Sequence, residues 1–519
     1  MRITEQEVLQ DMSFVENKLC ETMGKILNQE KYEVNDNFIS KGGNSFLAQK
    51  LADECGINGL TPQIVMMGLT PKHITEVLKE KGGRKPAFTV GEATAEEYPM
   101  TPSMLYNFFC CEATGDTIDI MDLKALWELN DDVDIERLRQ ALIKTISHYE
   151  GLNIGFCRER AVFIKRKAEI PEIPVMELTK DGLKDFLLKA GSKKRNLADD
   201  NMIDVTIIKF NGKSYLYLRM PHLVYDGMST SNFLKDISIC YDGGEPIEEQ
   251  STIFDSGNYQ KIISETGFYD EALDYYDHIF REYPSDLRKD MKDDYSTYFF
   301  NENIGQISGA NAKAFLKENG LTFGTVLQAA FIVALSKALK KDKLVYRIFH
   351  SGRYDDRVNN MQGTEARPVL MLVDINPEHQ VLDFLHHLQY RYFETVYYDV
   401  VPFTELIKRY PDIDSGIIFN YRGSLLGNTD IVLDGKPNSF SVLGYIYGSD
   451  SKDAAHSHDI VDMMIDKTPN GFTMSGNSGY FSKEKVLEIM DNTKKIYNLF
   501  MEKETMKQVL EALDNQIQD

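Results

Sequence analysis

The sequence predicts a multidomain chain of two unlike parts. A small all-α bundle of four helices occupies residues 1–82. After a linker at 83–96, a mixed α/β body divides into two lobes, 97–282 and 283–519. Three observations carry this expectation. A chain of 519 residues is too long for one ordinary domain and suggests two to four globular units. Apolar residues recur at three- and four-residue steps through the first eighty positions, with no strand signal. After Tyr98, short strand-like runs alternate with helical ones.

Taken in order, Val8, Met12, Val15, Leu19, Met23 and Ile26 mark one face of an amphipathic helix. A polar loop follows, and the pattern resumes at Phe46, Leu47 and Leu51. In "LTPKHITEVLKEKGG", Thr70 can cap a helix, Pro71 suits its first turn and Gly82 its end. "KGGRKPAFTVGEATAEEYP" has three glycines, two prolines and few large apolar side chains, and reads as a flexible interdomain linker. Beyond it, "SYLYLRM" and "KLVYRIF" read as strands, "DIERLRQALIKTISHYEGL" and "GTVLQAAFIVALSKALKK" as helices. A body of about 420 residues exceeds a single core, and a division near "DYYDHIFREYPSDLRKD" is expected.

Composition excludes several functions. A formal net charge of -22 argues against a nucleic-acid partner, which is held by neutralising phosphates with Lys and Arg. Six cysteines (Cys20, Cys55, Cys110, Cys111, Cys157 and Cys240) without a CxxC give neither a zinc site nor a disulfide framework, and read as small buried side chains in a reducing compartment. The charged N-terminus lacks the apolar core of a signal peptide, and no run approaches a membrane span. The expectation is a cytoplasmic protein with no membrane partner.

Two stretches carry chemistry. In "NDNFISKGGNSFLAQKL", two glycines allow a tight turn and Ser45 falls where a helix begins. Such a serine can be a simple N-cap. It can also be an attachment point, because unpaired amides and the positive end of the helix dipole favour a phosphate there. The second stretch is "SYLYLRMPHLVYDGMSTSNFL". A strand ends at Met220, His222, Asp226 and Gly227 follow, and a helical pattern begins. A histidine just past a strand end is rigidly held, and its near-neutral pKa lets it take a proton from an attacking amine or hydroxyl. A partly buried structural histidine is the plainer alternative. Asp226 need not bond to it and can instead fix the loop through an arginine.

The wider context resembles known families. "DNFISKGGNSFLAQKLADE" is similar to the DxFFxLGGxSL attachment motif of peptidyl and acyl carrier proteins. Asp36, Phe38, Gly42, Gly43, Ser45 and Leu47 fit it, while Ile39, Lys41 and Phe46 depart. "PHLVYDGMS" resembles the HHxxxDG motif of nonribosomal peptide synthetase condensation domains, whose HxxxD core also occurs in chloramphenicol-acetyltransferase-like acyltransferases. The family's catalytic histidine falls on His222, its structural aspartate on Asp226 and its glycine on Gly227, with Pro221 in place of the first histidine. "YPMTPSMLYNFF", "DIERLRQALIKTISHYEGLNIGF", "HSGRYDDR", "YDVVPFTELIKR" and "FTMSGNSGYFSKEKVLEIM" resemble further segments of that family in order. His148 and Asn153 stand where arginines are usual, so Arg353 is the candidate ion-pair partner of Asp226. "GTEARPVLMLV" departs from the usual GxFxNT.

The resemblance implies a carrier–condensation didomain whose two chloramphenicol-acetyltransferase-like lobes form a V. It implies 4'-phosphopantetheine covalently attached to Ser45 by a phosphopantetheinyl transferase. It further implies an adenylation or acyl-activating enzyme in trans, the absence of an adenylation signature here, and an acceptor that is another carrier or a small-molecule amine. The expected reaction is transfer of an acyl or aminoacyl group to an amine or hydroxyl, assisted by His222. Pro221 and Asn153 support a competing reading, a non-catalytic module that binds carriers or recruits a tailoring enzyme. "FNYRG" (Phe419–Gly423) suggests a third, an epimerase-like relative. "HSHD" (His456–Asp459), His386 with His387, and "GNSG" (Gly476–Gly479) read as structural, with no metal site expected.

Overall fold

The computed structural model describes residues 12–518 apart from 114–121, 168, 170–171, 180–181, 282, 284–297, 308, 310, 414–415, 424–429 and 443–458. The first residues of the expected helix from Val8, the two histidines of "HSHD" and the second half of the expected lobe boundary, apart from Tyr283, lie outside the described residues.

Residues 12–81 form four helices: Met12–Ile26, Ser45–Cys55, Pro62–Gly68 and Pro71–Lys81. Local chemistry sets their starts. Thr61 and Thr70 accept hydrogen bonds from the Ile64 and His73 amides at 3.3 and 3.2 Å, and a proline opens each of the two helices that follow. Val15, Leu19, Leu51, Ile64, Ile74 and Leu78 are buried together. That cluster does not stop at the bundle. It continues through Phe268, Tyr276, Phe393 and Tyr397 of the body. The short helix Pro62–Gly68 is buried at every residue and packs against the helix Val381–Tyr397.

The segment 83–96 has no helix or strand, as its composition predicts, but it is not a free tether. Lys85 Nζ donates to Asp399 and to the Tyr397 carbonyl, the Tyr259 hydroxyl donates to the Pro86 carbonyl at 3.1 Å, Arg357 donates to the Phe88 carbonyl at 2.9 Å, and the Gly91 amide donates to Asp255 at 2.9 Å. The expectation of flexibility fails because these partners lie in distant sequence.

Among the described residues the body holds fifteen strands in three sheets. The strands are β1 (Glu97–Pro99), β2 (Asp122–Leu129), β3 (Ile154–Cys157), β4 (Val162–Lys165), β5 (Val175–Leu178), β6 (Asp204–Phe210), β7 (Lys213–Pro221), β8 (Tyr298–Gly305), β9 (Lys343–His350), β10 (Arg367–Asp374), β11 (Ile417–Gly423), β12 (Ile431–Leu433), β13 (Lys436–Val442), β14 (Val461–Thr468) and β15 (Gly471–Ser478). The first six-stranded sheet has the order β12-β13-β2-β7-β6-β5, the second β10-β9-β11-β14-β15-β8, and a small sheet β1-β4-β3 completes the set. Thus β12 and β13, far past residue 283, belong by pairing to the sheet of the first lobe. Phe440 on β13 packs on Trp127 of β2 with ring centroids 5.1 Å apart. The expectation of two contiguous lobes has no place for this exchange of strands.

Each large sheet has its own core. Trp127, Leu216, Leu218 and Phe233 anchor one, and the helix Phe323–Leu339, buried at every residue from Thr325 to Ser336, fills the other against β9, β11 and β14. Among the described residues no single helix is long and apolar enough to cross a membrane. Cys55 and Cys240 are buried as expected, whereas Cys20, Cys110 and Cys157 are only half-buried.

Candidate functional site

Strand β7 pairs with β2 up to the register Asp122↔Pro221, so the ladder ends one residue before His222. The helix Gly227–Tyr241 starts five residues after His222, and Asp226 is its N-cap. The Asp226 carboxylate accepts from the Ser229 amide at 2.9 Å, and the Ser229 hydroxyl lies 2.8 Å from the Asp226 amide, a reciprocal capping box. The turn 222–226 is therefore pinned at both ends, by a ladder and by a cap.

His222 is held from behind by its own backbone and by two neighbours. Its carbonyl accepts from Asn107 Nδ2 at 3.1 Å, and its ring stacks on Tyr225 with centroids 4.5 Å apart and planes 27° apart. Nδ1 is sealed from solvent and faces backbone of its own turn, while the ring keeps partial solvent contact. That leaves Nε2 as the nitrogen open to a reactant. Burial lowers the imidazole pKa below its ordinary value, opposed by the backbone of the turn and by the Asp226 charge. A neutral imidazole with one accessible nitrogen can accept a proton near neutral pH.

Asp226 does not bond to that ring. It is 2% exposed, and its oxygens accept from Arg353 Nη2 at 3.0 and 3.1 Å, from Arg353 Nε at 3.2 Å and from the Glu365 amide at 3.0 Å. Burial alone would raise the carboxyl pKa. Arg353 and the two amides overcome it and hold the group below the ordinary carboxylate range. Arg353 in turn donates to the carbonyls of Val358, of Met361 at 3.0 Å and of Gly363 at 3.1 Å. Its approach depends on Gly352, which has φ +69° and whose Cβ, if present, would lie 2.2 Å from the Glu365 carbonyl oxygen. Gly227 is unlike it: a Cβ there would meet no atom within 4 Å, so the glycine borders open space at the helix start.

Ser45 is exposed at the first position of its helix. The cap is the preceding residue, Asn44, whose side chain accepts from the Leu47 amide at 2.9 Å. The reading of Ser45 as an N-cap is therefore corrected, and its hydroxyl is not spent on the helix. The turn before it is tight: a Cβ on Gly43 would lie 2.6 Å from the Phe38 carbonyl oxygen. An exposed serine hydroxyl beside free helix amides fits covalent attachment of a phosphate-linked arm. Hydrogen bonds unite the His222 turn, Asp226 and Arg353, and among the described residues none joins Ser45 to them.

Sequence reasoning missed Asn107, Gln362 and the Glu365 amide. Gln362 Nε2 donates to the Val224 carbonyl at 2.8 Å, and Ser103 links to Thr364 at 2.8 Å. The unusual "GTEARP" is thus the segment that wraps the turn. Its position in the sequence gave no hint, because an amide leaves no residue-type signal. Of the stretches read as structural, Ser478 is buried and donates to the Ile460 carbonyl at 2.6 Å, and His386 bonds the Asn319 carbonyl at 2.7 Å. No metal-binding cluster occurs among the described residues.

The condensation-domain family model matches residues 112–513. Surfactin synthase subunit 2 of Bacillus subtilis (strain 168) is 21% identical over 416 residues, which is 76% of this chain and 11% of that protein. Gramicidin S synthase 2 of Brevibacillus brevis is 20% identical over 409 residues, 76% of this chain and 9% of that protein. The chain thus spans about a tenth of the length of these relatives. Among solved structures, the condensation domain of the monacolin K polyketide synthase MokA aligns with a TM-score of 0.62 at 13% identity, covering 78% of this chain and 97% of that one. The X-domain in complex with OxyB from teicoplanin biosynthesis aligns with a TM-score of 0.62 at 14% identity, covering 80% and 95%. At these identities the likeness is one of fold. With the family model running through both six-stranded sheets, the turn that carries His222 and the segment that carries Arg353, this chain belongs to the condensation-domain family.

Proposed function

We propose that this chain transfers an acyl or aminoacyl group from its own helical bundle to an amine, as a carrier–condensation unit of nonribosomal peptide synthesis. The observation that carries the reading is the His222 turn, a neutral imidazole with one nitrogen open, locked by an aspartate that is committed to Arg353 and not to the ring. A 4'-phosphopantetheine group on Ser45 would supply a thiol that holds the acyl group as a thioester. His222 Nε2 accepts the proton of the attacking amine as the new C–N bond forms. His222 would then return that proton to the departing thiol sulfur as the C–S bond breaks. The open space beside Gly227 gives the reacting carbonyl room next to the start of the helix Gly227–Tyr241. Holding both reactants at one imidazole supplies much of the rate.

The partners are a phosphopantetheinyl transferase, an acyl-activating enzyme acting in trans, and an acceptor amine that is a small molecule or sits on another carrier. Incubation with the transferase and coenzyme A should add one arm by intact mass, and Ser45→Ala should abolish the addition. The loaded protein should then transfer its acyl group to an amine, and His222→Ala should stop it. Loading without transfer to any acceptor, with His222→Ala indistinguishable from the parent, would favour a second reading supported by Pro221: a module that docks carriers or recruits a tailoring enzyme. The X-domain that shares this fold was solved in complex with OxyB.

A further inference from the structure

A row of buried charges runs from the segment after the helical bundle to the clamp behind His222. Lys85 Nζ donates to Asp399 Oδ1 at 3.0 Å and to the Tyr397 carbonyl at 2.9 Å. Asp399 Oδ2 accepts from Arg367 Nη2 at 2.9 Å and Nε at 3.2 Å. Arg367 Nη1 reaches Glu365 Oε2 at 3.3 Å, and the Glu365 amide donates to Asp226. Asp399, Arg367, Glu365, Arg353 and Asp226 are all 6% exposed or less. Lys85 is the one member that comes from outside the body, and its side chain is 12% exposed.

A segment acting only as a tether has no use for a buried ammonium, which is costly to desolvate and, once paired, costly to remove. Its place in the row gives it one. Lys85 occupies one oxygen of Asp399; Arg367 holds the other, with His350 Nε2 3.6 Å from that same oxygen, which leaves Arg367 Nη1 for Glu365. Without Lys85, Asp399 Oδ1 is buried and unpaired. The Arg367 fork then turns to grip both oxygens, as arginine and carboxylate prefer. Glu365 is then left with Arg353, a cation already committed to the Asp226 carboxylate, and the backbone that caps Asp226 relaxes.

We propose that Lys85 is a positioning residue: its contact with Asp399 couples the seating of the helical bundle to the geometry of the His222 turn. The bearing of this on acyl transfer rests on the function proposed above; the coupling itself needs no substrate. By linkage, whatever unseats the segment at Lys85 loosens the turn, and whatever tightens the turn favours the seated bundle.

Hydrogen exchange on the full chain tests it, because two reporter amides, Ser229 and Glu365, bond directly to Asp226. Lys85→Met should speed exchange about fivefold or more in peptides carrying those amides, as well as in residues 83–91. Lys85→Arg should restore protection. Tyr259→Phe, which frees the Pro86 carbonyl and leaves every charge in place, should loosen 83–91 alone. The proposal is overturned if Lys85→Met loosens 83–91 while Ser229 and Glu365 keep their protection, or if Tyr259→Phe exposes them equally. Should Lys85→Met fail to fold, Lys85→Gln is read in the same way. Exchange is measured without substrate, so an inactive protein that shows this pattern sinks the proposed reaction and keeps the coupling.

Discussion

Arg353→Met isolates the clamp on which the His222 turn depends. The substitution keeps side-chain length and removes the charge. Asp226 would keep only the Ser229 and Glu365 amides as partners in a site where it is 2% exposed. Breaking a buried ion pair by deleting one partner costs about 3–5 kcal/mol. The carbonyls of Val358, Met361 and Gly363 also lose a donor, at about 1–3 kcal/mol each where water cannot replace it. Water entering the vacated space offsets part of that second cost, so the expected loss is about 5 kcal/mol. The readout is built into the chain, since Trp127 is its single tryptophan, fully buried in the core beneath the same helix. For a lobe of about 200 residues, this loss lowers the melting temperature followed by Trp127 fluorescence by about 10–20 °C. Arg353→Met combined with Asp226→Met should recover part of it, because two apolar partners leave no buried charge unpaired. A single variant within about 1 kcal/mol of the parent, or strict additivity in the double variant, would refute the argument.

Three further outcomes follow from the same geometry. His222 must be neutral to act as base and burial lowers its pKa, so kcat/KM for acyl transfer should rise with pH through a midpoint below 6.5 and be flat above it; a midpoint above 6.5 contradicts this. His350 is 6% exposed and burial pushes its pKa down to about 3, so the folded chain refuses a proton that the unfolded chain accepts near 6.5. Its share of stability is whole above 6.5 and is lost as pH falls toward 3, at up to about 1.4 kcal/mol per pH unit, and His350→Gln should flatten that part of a stability–pH curve. Asn107→Leu orphans the His222 carbonyl at a cost of about 1–3 kcal/mol, and should lower kcat with little change in KM because it acts on the turn and not on substrate binding.

What could be read from the sequence was whatever depends on neighbours along the chain. Thr70, Pro71 and Gly82 mark the ends of one helix because capping is decided within four residues, and the period of apolar positions separates the bundle from the body for the same reason. The turn from Met220 to Gly227 was equally visible, since ladder end, histidine and cap are contiguous. Arg353 could be named as a partner for Asp226, 127 residues away, only through the family's pattern. Where no pattern helped, distance defeated the reading. Lys85 went unnoticed in a stretch read as a flexible linker because its carboxylate lies 314 residues on. The strands β12 and β13 gave no sign that they would cross to the first sheet, since pairing is a property of topology and not of the strand itself.

The position of Pro221 follows from the same division of labour. It stands in the last register of β7, opposite Asp122, where the ladder stops and a missing amide costs little. Its own part in the turn is a backbone one, a carbonyl that accepts from the Val224 amide at 3.0 Å and that any residue would supply. The His222 carbonyl is held by Asn107, the Val224 carbonyl by Gln362, and the Asp226 carboxylate by Arg353 and two amides. A side chain at 221 could matter only by reaching the reactants, and the turn it precedes is already locked by donors from three other segments. The departure from the family's first histidine therefore removes a side chain from the strand end while leaving every hydrogen bond that orients His222 in place.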